Sequence, residues 1–108
     1  IARFGDLEID FAKKTAIVEK KALDLTTNEF NALEMLAKHA GEVLDRDRLL
    51  NRLRGMDCDA FNRAVDITVS RLRQKLGDDP RRPRWIKTVW GAGYVFIGQA
   101  GGEDHGDP

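Results

Sequence analysis

The chain has 108 residues, 42% of them hydrophobic, with 18 basic and 18 acidic side chains and no net charge. That suits one compact domain with a modest core and leaves no room for a second; the lone Cys58 excludes an internal disulfide and reads as an inert loop thiol, and no apolar run approaches the roughly 20 residues of a membrane span. A soluble chain without a signal peptide is expected, and because it begins at Ile1, a piece cut from a longer protein.

A neutral total argues against nucleic acid, but the charge is unevenly placed. Residues 1–43 hold six basic and eight acidic side chains, residues 44–97 hold twelve and seven, and residues 98–108 add three acids. The local field near a phosphate matters more than the total, and the positive excess falls in the second half of the chain.

In chain order, alternation comes first. From Phe4 to Leu25 the period is two: Leu7, Ile9 and Phe11 alternate with Asp6, Glu8 and Asp10, and Thr15 to Glu19 and Ala22 to Leu25 follow short Lys-rich breaks. This predicts a small antiparallel sheet made of hairpins. Thr26 with Glu29 three positions later predicts a capping box. Phe30, Leu33, Leu36, Ala37 and Ala40 keep helical spacing up to Gly41, so the first helix is expected over about 27–39. Asp45 is placed to cap a second helix over about 46–54, with Leu49, Leu50 and Leu53 inward and Arg46, Arg48, Arg52 and Arg54 largely outward.

The stretch Asn62 to Leu76 makes sense as one helix with two unlike faces, running over about 61–76. At about 100° per residue from Arg63, the residues Leu72, Val65, Leu76 and Val69 fall between roughly 180° and 240°, an apolar stripe for a core. Arg63, Gln74, Ile67, Ser70, Asp66 and Arg71 lie across the other side. A guanidinium, hydrogen-bonding groups of both kinds and one exposed branched aliphatic suit the reading of base edges better than simple solvation. Gly77, Asp79-Pro80 and Pro83 end the helix. Two helices joined by a short turn, the second bifacial, form a helix-turn-helix. Trp85 to Trp90 and Tyr94 to Ile97 read as strands across the glycine loop Gly91-Ala92-Gly93, a hairpin wing. The predicted class is therefore α+β: a winged helix-turn-helix over residues 1–97, and a flexible tail over residues 98–108, which lack any large apolar side chain.

Leu25-Thr26-Thr27-Asn28-Glu29-Phe30, Arg63-Ala64-Val65-Asp66-Ile67, Ser70 through Leu76, and Lys87-Thr88-Val89-Trp90-Gly91-Ala92-Gly93-Tyr94 together make the chain resemble the effector domain of OmpR/PhoB-type response regulators. The resemblance implies sequence-specific binding of double-stranded DNA in transcription regulation, with an N-terminal antiparallel sheet, a three-helix core and a C-terminal wing. It implies a receiver domain elsewhere in the same protein, phosphorylated in a phosphorelay by a cognate histidine kinase, a homodimer on a direct-repeat operator, a bacterial cytoplasmic location and contact with RNA polymerase. By the same resemblance Asp66, Ile67, Ser70 and Arg71 face bases, whereas Arg63, Thr68, Arg73, Lys75, Thr88 and Tyr94 meet phosphates, and Lys87, Trp90 and Gly91 form the wing's contact. Chemistry fits the base readers: Arg71 offers two donors to guanine, Asp66 an acceptor for a cytosine amino group, and Ile67 a surface for a thymine methyl.

Some positions depart from the commoner family pattern. Thr68 replaces a longer His. Trp90 stands where many members have Arg, so a guanidinium for the minor groove is missing; its options are to lie along a sugar-phosphate strand, to donate its indole N–H, or to pack between wing and helix. The loop around Met56, Asp57 and Asp59 resembles the family's polymerase-contact surface, and its acids are ill suited to lie on DNA. Its plainer reading is a solvated connector.

An enzyme is not expected: His39, His105 and Cys58 assemble no nucleophile, base and orienter, and neither His has a second metal ligand at a recognised spacing. No cofactor is expected. The rival function is a winged helix used for protein contact alone, with Ile67 as its hot spot.

Overall fold

A computed structural model describes residues 1–51 and 61–98; of Phe61 and Asn62 only the backbone enters the description. Four strands open the chain: β1 (Ala2–Phe4), β2 (Leu7–Asp10), β3 (Thr15–Val18) and β4 (Lys21–Ala22). They pair in sequence order, all antiparallel, with Phe4 opposite Leu7, Ile9 opposite Ala16 and Val18 opposite Lys21. The alternation has the expected effect, since Leu7, Ile9, Ala16 and Val18 are buried and Glu8 and Asp10 are not. The sheet starts two residues ahead of Phe4, and its last strand stops at Ala22, short of the expected Leu25. Leu23 and Leu25 pack on the core from a connecting segment instead.

Helix α1 (Thr27–Lys38) begins at the expected capping box: Thr26 Oγ1 accepts from the Glu29 amide, and Glu29 Oε1 accepts from the Thr26 amide. Helix α2 (Arg46–Leu50) is capped by Asp45, whose Oδ1 accepts from the Arg48 amide at 2.8 Å. The residues 52–54 assigned to this helix from sequence lie outside the described residues, as does the loop Met56, Asp57 and Asp59. Helix α3 (Phe61–Leu76) ends in a Schellman arrangement: Gly77 has φ +74°, Asp78 N–H donates to the Arg73 carbonyl, and Gly77 N–H to that of Gln74.

After the turn at Asp79 the chain forms β5 (Ile86–Val89) and β6 (Gly93–Phe96), an antiparallel hairpin with Thr88 opposite Tyr94. Trp85 and Trp90 fall outside the strands to which the sequence assigned them, and the loop is Trp90-Gly91-Ala92, one residue earlier than expected. The segment before α2 lies along β6, with Leu44 and Tyr94 exchanging hydrogen bonds of 2.8 and 3.0 Å. The core gathers α1, α3 and both sheets around Leu33, Leu36, Leu72, Ile86 and Phe96, with the Phe4 and Phe96 rings edge-on at 4.7 Å. Two polar anchors close the bottom of the domain: Trp85 Nε1 donates to the Phe4 carbonyl, and the buried Asp78 carboxylate accepts from the Arg84, Trp85 and Ile86 amides. No helix among the described residues is long and apolar enough to cross a membrane.

Candidate nucleic-acid interface

The interface starts from the two faces of α3. Val65, Val69, Leu72 and Leu76 are all at most 2% exposed, so the helical phase read from the sequence is the phase adopted. Turned away from them are Arg63, Ile67, Ser70, Arg71 and Gln74, all exposed. Ile67 keeps 42% of its surface in solvent, an unusual position for a branched aliphatic side chain on a helix with an unfilled need for core contacts only on its opposite face. Among the described residues no side chain is paired with Arg63 or Arg71.

The two margins of the apolar stripe carry the remaining candidates, and there the structure revises several expectations. On the margin facing the wing, Arg73 is only 8% exposed. Its Nη2 donates to the Ile86 carbonyl at 3.1 Å and to Thr88 Oγ1 at 2.6 Å, and its guanidinium lies 5.5 Å from the Tyr94 ring centre. Among the described residues no carboxylate neutralises it, and its Nε is buried without a partner. Arg73 is thus a clamp between α3 and β5 before it is anything else. Thr88, by accepting from Arg73, keeps its own hydroxyl proton for an acceptor outside.

Tyr94 departs further from its expected role. It is 5% exposed, and its hydroxyl donates to Asp66 Oδ1 at 2.5 Å. The same oxygen accepts from Arg46 Nε at 2.9 Å. Partial burial pushes the Asp66 carboxyl up, but the hydrogen bonds from Arg46 and Tyr94 outweigh it and hold the group below its usual range. Burial first, and then the Asp66 carboxylate, push the Tyr94 hydroxyl up to about 12. Asp66 therefore presents one committed oxygen, and Oδ2 is left as its acceptor. Arg46, raised by its hydrogen bond to Asp66, is a member of this cluster that sequence reasoning missed; its partner Asp66 is 20 positions away and no periodicity links them.

On the opposite margin, Thr68 is 6% exposed, too enclosed for the phosphate contact that the resemblance implies. It sits beside the stripe and is buried with it. Lys75 Nζ donates to Glu29 Oε1 at 2.6 Å and to the Asp24 carbonyl at 2.7 Å. It ties the end of α3 to the start of α1, which is a structural task, and Glu29 is 3% exposed beneath it. Burial pushes the Glu29 carboxyl up, and the hydrogen bonds from Lys75 and the Thr26 backbone hold it lower overall.

The wing stands beside this face. Lys87 is exposed, Gly91 has φ +80°, and Trp90 is 89% exposed at the tip. The packing alternative for Trp90 is thereby removed. At the root, Gly93 has φ +144°, and a Cβ there would overlap the Leu44 carbonyl, so only glycine lets β6 lie this close to the chain before α2.

The model of the family described as "Transcriptional regulatory protein, C terminal" matches residues 20–96. The transcriptional regulatory protein RstA of Escherichia coli K12 is 43% identical over 97 residues, covering 90% of this chain and 41% of that protein. The DNA-binding domain of RstA from Klebsiella pneumoniae, solved in complex with the RstA box, is 43% identical with a TM-score of 0.78, over 88% of this chain and 94% of that one. The Thermotoga maritima response regulator DrrB, an OmpR/PhoB homologue, is 42% identical with a TM-score of 0.79, over 89% of this chain and 43% of that one. The present chain thus spans about two fifths of the length of its full-length relatives and belongs to the family of C-terminal domains of OmpR/PhoB-type transcriptional regulatory proteins.

Proposed function

We propose that this chain binds double-stranded DNA in a sequence-specific manner as the effector domain of a two-component response regulator, with α3 in the major groove and the wing over the adjacent backbone or minor groove. The observation that carries this reading is the exposed face of α3, where Arg63, Ile67, Ser70 and Arg71 are exposed and, among the described residues, without side-chain partners, beside a hairpin clamped by Arg73 and Tyr94. Rigid placement of mixed donors, an acceptor and a methyl-bearing group at groove scale is what direct readout needs. Arg71 takes a guanine edge, Ile67 a thymine methyl, and Asp66 a cytosine amino group through Oδ2. Ser70 adds a hydroxyl. Arg63 and Thr88 serve neighbouring phosphates, and Arg73 supports Thr88 while adding positive potential from behind.

The relative solved with its DNA box supports a DNA target, and the shared length supports a receiver domain in the remainder of a longer regulator, controlled by a histidine kinase in the bacterial cytoplasm. On DNA we place two copies on a direct repeat, with half-sites about one turn, roughly 10 to 11 base pairs, apart. The loop Met56, Asp57 and Asp59 is our proposed contact for RNA polymerase; changing Met56 and Asp57 to Ala is expected to abolish reporter activation while operator affinity stays within a few-fold.

Selection of duplexes from a random pool, followed by titration at several salt concentrations, tests the central claim. The expected result is a recurrent half-site and a steep fall in affinity with salt, each phosphate contact adding about 0.9 to the log-log slope. Failure to enrich any sequence, together with a flat salt dependence, would overturn it in favour of protein contact alone.

A further inference from the structure

The pair between Arg46 and Asp66 is worth little to the fold, since both side chains are about two fifths exposed and water screens an ion pair so placed. Its geometry is nevertheless specific. Arg46 Nε donates to Asp66 Oδ1 at 2.9 Å, and the Tyr94 hydroxyl donates to the same oxygen at 2.5 Å. Two donors converging on one oxygen fix the carboxylate, whereas either alone would leave it free to turn about a single contact.

The two donors share one seat. Leu44 exchanges backbone hydrogen bonds with Tyr94, and Arg46 follows two residues later as the first residue of α2, behind the Asp45 cap. Backbone contacts therefore set both donors in a fixed relation before either side chain meets Asp66. Asp66 is a short side chain on the margin of the exposed face of α3, with three staggered choices at χ1. Only a choice that brings Oδ1 to Arg46 and Tyr94 together satisfies both donors, and it leaves Oδ2 as the open acceptor. Arg46 also answers a problem of charge. A carboxylate entering a groove between phosphates is repelled, and the adjacent guanidinium offsets that repulsion.

Resting on the reading above in which Asp66 accepts from a base, we propose that Arg46 is a positioning residue for that contact: from outside the reading helix it sets the base preference at one position by holding the Asp66 carboxylate. Specificity at that position then belongs to α2 as well as to α3. Arg46 itself meets no base.

Selection of duplexes by this protein from a random pool gives its half-site, and Asp66→Ala identifies the base pair whose preference depends on the carboxylate. The quantity measured is the ratio of affinities for two duplexes that differ only at that pair. General changes in phosphate attraction cancel in this ratio, as does any loss of folded protein. Arg46→Met is expected to lower the ratio by about three- to tenfold and to leave the ratios at other positions unchanged. In the Asp66→Ala background it is expected to have no further effect on that ratio. Its melting temperature is expected to stay within about 4 °C of the parent.

An unchanged ratio in Arg46→Met would overturn the positioning role while leaving the DNA-binding reading intact, and equal weakening of every duplex would make Arg46 a phosphate contact instead. Relaxed preference at all positions, with a much lower melting temperature, would make it a brace of the fold and defeat the proposal. If the parent selects a half-site but Asp66→Ala relaxes no position in it, Asp66 is not a reader and Arg46 has nothing to position. A pool from which the parent enriches no sequence takes down the DNA-binding reading and the proposal with it.

Discussion

The Tyr94 hydroxyl and the Asp66 carboxylate, 28 residues apart in sequence, meet at 2.5 Å and fasten the wing to the helix beside it. Asp66 sits on the margin of the exposed face of α3, so a wing residue sets the orientation of a side chain proposed to read DNA. Tyr94 is the only tyrosine in the chain, which makes the pair directly observable. Absorbance near 295 nm is expected to show a phenol titrating well above its ordinary value of 10.0, near 12. Removing the carboxylate with Asp66→Asn is expected to bring the midpoint part of the way down, burial alone maintaining the rest. A midpoint at 10 in the parent protein would show that the pair does not form.

The sign of the linked stability follows. The folded state holds the Tyr94 proton more tightly than the unfolded chain, so this contribution is complete below about pH 10 and is lost as pH rises from there towards 12. Asp66 acts at the other end: its lowered value stabilises the fold above the ordinary carboxylate range and is lost as pH falls through the folded value. Tyr94→Phe is expected to lower stability by about 1 kcal/mol, a melting shift of about 4–6 °C. The Arg46 pair adds little by itself, because both side chains are about two fifths exposed.

Arg71 and Arg73 are expected to separate cleanly. Arg71→Ala leaves the melting temperature unchanged and relaxes the preference at one base position, at a cost of about 1 to 3 kcal/mol on the selected site. Arg73→Ala removes the clamp on Thr88 and Ile86, so it is expected to lower stability by about 1 to 3 kcal/mol and to weaken all duplexes alike. Thermal melts and titrations on selected and scrambled duplexes decide between these outcomes. Equal losses on both duplexes for Arg71→Ala would remove it from the base readers.

Ile67→Ala tests the reading face by a different route. With 42% of its surface in solvent, Ile67 contributes little to the core, so stability is expected to stay within about 0.5 kcal/mol. Affinity for the selected site is expected to fall by about 1 kcal/mol if the lost methyl groups had met a thymine. Normal DNA binding by this variant counts against the assignment.

Much of this was legible in the sequence. The elements themselves, the capping box, the Asp45 cap and the phase of α3 follow from local chemistry, and local chemistry is what a sequence displays. The hairpin between β3 and β4 was less legible because its turn places Glu19 and Lys20 at φ +50° and +68°, without the Asn or Gly that usually announces such a turn. The margins of α3 were misjudged for a related reason. Thr68 and Arg73 lie about 40° from the ends of the stripe, and whether such positions are covered depends on neighbours distant in sequence: β5 and Tyr94 on one side, α1 on the other. Arg46 was invisible as a partner of Asp66, since only the folded chain brings the start of α2 to the middle of α3.

Lys75 gives a test of that revision. As a phosphate contact it would carry salt dependence; as the partner of Glu29 it carries stability. Lys75→Met is expected to leave the salt slope of DNA binding unchanged and to destabilise the fold, because Glu29 stays buried without its cation. Glu29 in the parent stabilises the fold above the ordinary glutamate range and loses that contribution as pH falls through its lowered folded value. In the variant the folded value rises, so the acid limb of the stability profile is expected to begin at higher pH. A reduced salt slope with unchanged acid stability would restore the phosphate role.

Gly91 and Gly93 lie two residues apart in the wing, and both have positive φ, yet they are expected to respond very differently to a single methyl group. At Gly91, φ is +80° and an added Cβ meets nothing within 4 Å, so Gly91→Ala involves only backbone strain, about 1 kcal/mol. At Gly93, φ is +144° and the added Cβ overlaps backbone atoms of Leu44 and Asp45, which are held by the hydrogen bonds between Leu44 and Tyr94 and by the cap of α2. Neither side has a flexible atom to yield. Gly93→Ala is therefore expected to cost at least about 3 kcal/mol, combining a disfavoured conformation with a displaced strand. The same displacement pulls Tyr94 from Asp66, so the phenol titration of any folded fraction should move down from about 12 towards 10. Equal, small effects of the two substitutions in chemical denaturation would mean that the wing is not seated on the Leu44 segment, and the fixed relation between wing and helix would fall with it.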